Sequence, residues 1–176
     1  MGPKYYHSLA MKMAEFLQNE AIHSKEDKEL LNRISVLLKM DSHFNGTVPS
    51  ASDLCSVIIS MKNMSSESEL TIELMHTLSQ IFHQHYSDPE QPFPRPTSSE
   101  ICRAISGMRN FPLKIESVQR LLHILGKLLS YTSETDKPSV EDLDLALEGV
   151  KSMPSDIKVV GETITLLRQI LSSCNG

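Results

Sequence analysis

The chain spells one start signal three times: PSASDL at residues 49–54, PTSSEI at 96–101 and PSVEDL at 138–143. Each copy reads proline, then serine or threonine, two residues, an acid, and leucine or isoleucine. This is the pattern of a capping box, in which a hydroxyl accepts from the amide three residues on while that residue's carboxylate reaches back. Ser50 with Asp53, Thr97 with Glu100 and Ser139 with Asp142 are therefore expected to begin three helices. Each cap contributes about 1 kcal/mol, and the acid is favoured by the helix dipole. The preceding proline disfavours helix upstream, so each boundary is set from both sides. A start signal that recurs at such intervals restricts the fold to repeats of one helical unit.

With shifts of 47 and then 42 residues, the copies stay alike well past the cap. The first apolar columns are Leu54/Ile101/Leu143, Val57/Ala104/Ala146, Ile58/Ile105/Leu147, Met61/Met108/Val150 and Met64/Phe111/Met153. Steps of three and four mark one helix face. After a break at Pro112 and Pro154, a second face follows in Met75/Leu122/Ile164, Leu78/Leu125/Leu167, Ile81/Leu128/Ile170 and Phe82/Leu129/Leu171. Each unit thus reads helix, tight turn, helix. Asn63, Asn110 and Ser152 stand where the first helix should stop, and asparagine tolerates the left-handed conformation of a helix end. Ser60, Gly107 and Gly149 share a column of small residues. Glycine inside a helix costs about 1 kcal/mol, so this column predicts close helix-to-helix contact.

A worn fourth copy lies at the front. With a shift of 44, Leu30, Leu31, Ile34, Leu37 and Leu38 fall on Leu74, Met75, Leu78, Ile81 and Phe82. Residues 5–19 keep Ala10, Met13, Ala14 and Leu17 in register, but they have lost the capping box and carry Phe16 in the small column. Terminal units of repeat arrays are atypical in this way. The expectation is an all-α fold: a single helical-repeat domain over residues 1–176, built of four stacked helix-turn-helix hairpins at about 5–40, 50–83, 97–130 and 139–172. About eight helices would then form a short right-handed α-solenoid, with the first hairpin a degenerate cap.

Two-helix units of 42 to 47 residues resemble the HEAT class of α-solenoid over nearly the whole chain. AISGMRNF at 104–111, echoed by ALEGVKSM at 146–153, is similar to Ala-Leu-x-Gly-Leu-type hairpin repeats of large algal and bacterial effector-like proteins. Both resemblances imply a scaffold that binds other macromolecules.

Composition sets the remaining bounds. A chain of 176 residues, 40% hydrophobic, can bury one full core, about 70% of its unfolded surface. Its net charge of −5 counts against a broad nucleic-acid surface. Cys55, Cys102 and Cys174 are odd in number and lack CxxC spacing, which fits a reducing compartment rather than a disulfide framework or zinc knuckle. The start MGPKYYHSLAMKM lacks the apolar core of a signal peptide, and no run approaches a membrane span. Tyr6 also occupies the place where an acylation motif has serine or threonine. A cytoplasmic protein is expected, or one delivered to a host cytosol if it is an effector.

No phosphate loop, His-Glu-x-x-His or Gly-x-Ser-x-Gly motif is present. His76, His83 and His85 beside Asp88 could meet a metal if helix end and loop folded together, although a solvated loop accounts for them more simply. The recurrent Lys62/Arg109/Lys151 could form a phosphate ladder, but cations near a helix end also suit the dipole. Cys55 and Cys102 share a column with Asp144, which predicts a partly exposed position or an edge. Met61, Met64, Met75, Met108 and Met153 fall in core columns, and DPEQPFPRP at 88–96 reads as a stiff linker.

The strongest surface candidate is a stripe opposite the second-helix core: Glu73, His76 and Gln80, then Arg120, His123 and Lys127, then Glu162, Thr165 and Gln169. It points to a non-catalytic protein-protein interaction module whose partner binds the second-helix face. The competing readings are an RNA-binding helical repeat, similar to organellar repeat proteins, and a small metal-dependent enzyme using His76, His83 and His85. The leading reading requires no cofactor and no metal.

Overall fold

A computed structural model describes residues 50–61, 69–86, 95–131 and 135–175. Among these residues the fold is all-α, with six helices and no strand: α1 Ala51–Ser60, α2 Glu69–Tyr86, α3 Ser98–Gly107, α4 Glu116–Ser130, α5 Val140–Lys151 and α6 Lys158–Asn175. The two helices expected within residues 5–40, with Phe16, lie outside the described residues, as do Met64, Lys62, Asn63 and Asp88.

All three repeated motifs begin a helix. Ser50, Thr97 and Ser139 are extended, and each hydroxyl accepts from the amide three residues on, at Asp53, Glu100 and Asp142. The reciprocal form is drawn at Thr97, where the Thr97 amide donates to Glu100 Oε1 at 3.0 Å. Glu100 is long enough to serve a second purpose, accepting from the Ser52 hydroxyl of α1 at 3.1 Å. Asp136, just ahead of α5, accepts from both the Ser98 amide (2.9 Å) and the Ser98 hydroxyl (3.1 Å). Each later hairpin is thereby tied to the preceding one by a hydrogen bond at its entrance.

Ser152 closes α5 where the sequence placed the stop, but α1 and α3 end two residues early, before Asn63 and Asn110. The residues closing α1, α3 and α5 are Met61, Met108 and Ser152, all right-handed, with φ of −80°, −83° and −81°. The final turn tightens instead into bonds spanning three residues: Met108 N to Ile105 O and Arg109 N to Ser106 O in one hairpin, Ser152 N to Gly149 O in the next. These satisfy terminal groups without a left-handed residue. The rest of the turn repeats bond for bond. Phe111 N to Met108 O and Ile115 N to Pro112 O recur as Met153 N to Val150 O and Ile157 N to Pro154 O.

The helices pack in two rows. In one, α3 lies against α1 and α5 against α3; in the other, α4 lies against α2 and α6 against α4, with each hairpin joining the rows. The small column explains the spacing of the first row. A Cβ on Gly107 would sit 3.3 Å from Ile58 O and Ile59 Cα, and one on Gly149 only 2.9 Å from Ser106 Cα. Backbone meets backbone at both places. In the first copy, the Ser60 hydroxyl turns back to Ser56 O at 2.8 Å.

Every described residue of the five first-helix columns is buried, as are the second-helix columns of α2 and α4. In α6, Leu167 is buried but Ile164, Ile170 and Leu171 are half-buried, because no further helix covers its outer side among the described residues.

The cysteine column corrects the expectation of an edge. Cys55 and Cys102 are fully buried, whereas Asp144 is exposed. The column faces the next hairpin: α3 covers Cys55, α5 covers Cys102, and nothing described covers Asp144.

Candidate interaction surface on the second helices

The stripe predicted from the repeat columns lies on the surface of three neighbouring helices. Glu73, His76 and Gln80 on α2, Arg120, His123 and Lys127 on α4, and Glu162, Thr165 and Gln169 on α6 are all exposed. Spacings of three and four keep each set on one side of its helix. Since α2, α4 and α6 pack side by side, the three sets occupy one row of helices.

Within that row the charges are loosely held. Arg120 meets Glu116 at 3.6 Å and Lys158 meets Glu162 at 4.0 Å, both one turn apart and well exposed. Such pairs contribute at most about 0.5 kcal/mol. They leave the side chains available to a partner. The Thr165 hydroxyl donates to its own helix at Gly161 O, 3.0 Å away, which holds its methyl group and oxygen in a fixed orientation.

Between α4 and α6 the surface dips into an open cleft of about 280 Å³. His123 and Lys127 form one rim and Glu162 the other, while Gly126, Val159 and Leu166 supply an apolar floor. The polar rim was legible in the sequence. The floor was not, because it arises where residues some forty positions apart leave a gap, and Gly126 was the only signal.

A second hollow of about 280 Å³ sits at the entrance of α3, between Arg95, Pro96, Ile101, Leu128, Tyr131 and Asp136. Its polar groups are already engaged: Arg95 Nη1 donates to Tyr131 O at 2.9 Å, and Asp136 holds Ser98.

His76 and His83 are exposed on α2 and His85 is half-buried. Among the described residues no group of three or more histidine, cysteine, aspartate or glutamate side chains is placed to hold a metal. Arg109 and Lys151 are exposed at the ends of α3 and α5. Burial raises the Cys55 thiol well above its ordinary value, with Glu100 adding to the effect. The Cys102 thiol is pushed up to about 12, first by desolvation and then by the Asp142 charge. Both remain neutral thiols, poor as nucleophiles or metal ligands. Among the described residues no helix is long and apolar enough to cross a membrane.

No family model, no curated protein and no solved structure matches the chain.

Proposed function

We propose that the chain is a short helical-repeat scaffold of the HEAT-like kind, four stacked hairpins in a right-handed α-solenoid, that binds another protein through its second-helix face. In this reading the first row of helices is structural, locked by Gly107 and Gly149, and the second row presents side chains outward. One observation carries the proposal: nine residues in three repeat columns, chosen for their register, are exposed on three adjoining helices. A surface of this kind needs no catalytic group, and stacked repeats commonly use an extended face for recognition. We place the protein in a reducing compartment such as the cytosol, where the buried thiols stay unpaired.

The test compares wild type with a variant carrying Glu73→Ala, His76→Ala, Arg120→Ala and His123→Ala in pull-downs from extract, with and without nuclease. The proposal expects nuclease-resistant partners that the variant loses while its circular dichroism is unchanged. Partners recovered equally by both proteins would remove the face from consideration, and partners released by nuclease would favour RNA binding.

A further inference from the structure

We propose that the cleft between α4 and α6 seats one apolar side chain of an acidic partner peptide, and that Gly126 is present to keep this seat open. The inference rests on the second-helix face being a partner surface and specifies what that surface takes.

Three observations converge on it. The first is that Gly126 is not a packing glycine. Gly107 and Gly149 are forced by backbone at 3.3 and 2.9 Å, but a Cβ on Gly126 would meet only the Leu166 Cδ2 atom, at an ordinary 3.6 Å. The repeat geometry also accepts a side chain in this column, since Ser79 holds the equivalent place in α2 and is fully buried there. Glycine is the poorest helix former after proline, yet it stands inside α4, four residues before its end, where alanine would fit. What it provides is the floor of the cleft, beside Val159 and Leu166.

The second is size. Pockets for drug-sized ligands run to about 300–1,000 Å³ and enclose most of the molecule. An open hollow of about 280 Å³ lies at the lower edge of that range, encloses little, and leaves room for a single protruding side chain such as leucine, methionine or phenylalanine.

Charge is the third. Although the whole chain carries −5, α4 and α6 hold four cations, Arg120, Lys127, Lys158 and Arg168, against two acids, Glu116 and Glu162. Both acids already face a cation one turn away. Among the described residues no carboxylate pairs with Lys127, which stands on the rim. A peptide with aspartate or glutamate next to its apolar residue meets that charge on the α4 side, away from Glu162 on the opposite rim, and charge complementarity of this kind steers and orients a partner. Neither helix carries a phenylalanine, tyrosine or tryptophan on which a base could stack, which favours peptide over single-stranded RNA.

The test is a phage-displayed random dodecapeptide library selected on the immobilised full chain. Enriched peptides are then synthesised with a fluorophore and titrated against wild type, Gly126→Ala, Gly126→Leu, Lys127→Glu and the four-alanine variant, with a labelled oligouridylate as a parallel probe. Enriched sequences should carry one large apolar residue flanked by acids. Gly126→Leu should weaken their binding roughly tenfold or more by filling the seat, and Lys127→Glu should weaken it severalfold, with the wild-type affinity falling as salt rises. Gly126→Ala should melt about 2–4 °C higher than wild type, since it gains helix propensity and disturbs no packing. A lower melting temperature for Gly126→Ala would make Gly126 a packing residue and overturn the proposal. So would enrichment of basic peptides, no enrichment, or oligouridylate competing for the cleft. Peptides that keep their affinity for Gly126→Leu but lose it in the four-alanine variant would remove the cleft and leave the face. Peptides indifferent to both variants would remove both.

Discussion

Gly149 and Gly107 show how a few tenths of an ångström decide the effect of one methyl group. An alanine at 149 places its Cβ 2.9 Å from the Ser106 Cα, so the α3–α5 spacing has to open. Overpacking of this kind costs about 1–3 kcal/mol, which outweighs the gain of about 1 kcal/mol in helix propensity. Gly149→Ala is therefore expected to lower stability by about 1 kcal/mol in thermal unfolding, whereas Gly107→Ala, at 3.3 Å, should come out near neutral. The cysteines give a second residue-scale prediction. In the native protein Cys174, which is exposed, should react with a thiol reagent such as DTNB within minutes, while Cys55 and Cys102 stay protected until the protein unfolds. Prompt labelling of all three would contradict the hairpin stacking. The sign of the pH effect follows from the same burial. Cys102 and Tyr86 are raised from ordinary values of 9.0 and 10.0 to about 12, in both cases by desolvation first, with Asp142 and Asp53 respectively adding to it. A group raised in this way favours the folded state below its unfolded pKa and loses that contribution as pH climbs towards the folded value. Denaturant unfolding should accordingly show stability declining as pH rises above 9, and no loss from these groups between pH 6 and 8.

At the scale of helices and turns, the entrances of the hairpins hold most of the polar order. Thr97→Ala removes a cap whose return bond runs to Glu100, and should cost about 1–2 kcal/mol by urea denaturation. Asp136→Ala strips two bonds from the buried Ser98 and leaves its hydroxyl to be desolvated without that acceptor. Its expected cost of about 1–3 kcal/mol should equal or exceed that of Thr97→Ala. A smaller loss would mean that Asp136 is not a structural tie. These elements also show what local sequence can express. A cap involves residues three apart, so Ser50, Thr97 and Ser139 were readable from the chain alone. The Asp136–Ser98 and Ser52–Glu100 bonds join residues 38 and 48 apart, and no pattern announces them. The end of α3 was misplaced for a related reason: Asn110 permits a left-handed stop but does not require one, and the chain closed in a tightened turn at Met108 instead, while α5 ended at Ser152 as expected but without a left-handed residue.

Over the whole molecule, a single apolar cluster runs from Ala51 in α1 to Leu167 in α6, taking in residues of all six helices. A core shared in this way should melt in one transition, with circular dichroism and calorimetry giving the same midpoint. Leu122→Ala, at its fully buried centre, should lower stability by about 2–5 kcal/mol while keeping that single transition. Two separated transitions would mean that the hairpins fold independently. Sequence by itself determined the helices, their caps, the inward columns and the outward stripe, because each depends on hydrogen bonds or periodicity within one or two turns. Tertiary structure alone decided that the Cys55 and Cys102 column is sealed while Asp144 is open, and that a cleft lies over Gly126. Exposure and empty space belong to the gap between two helices, and that gap exists only once one hairpin has settled against the next.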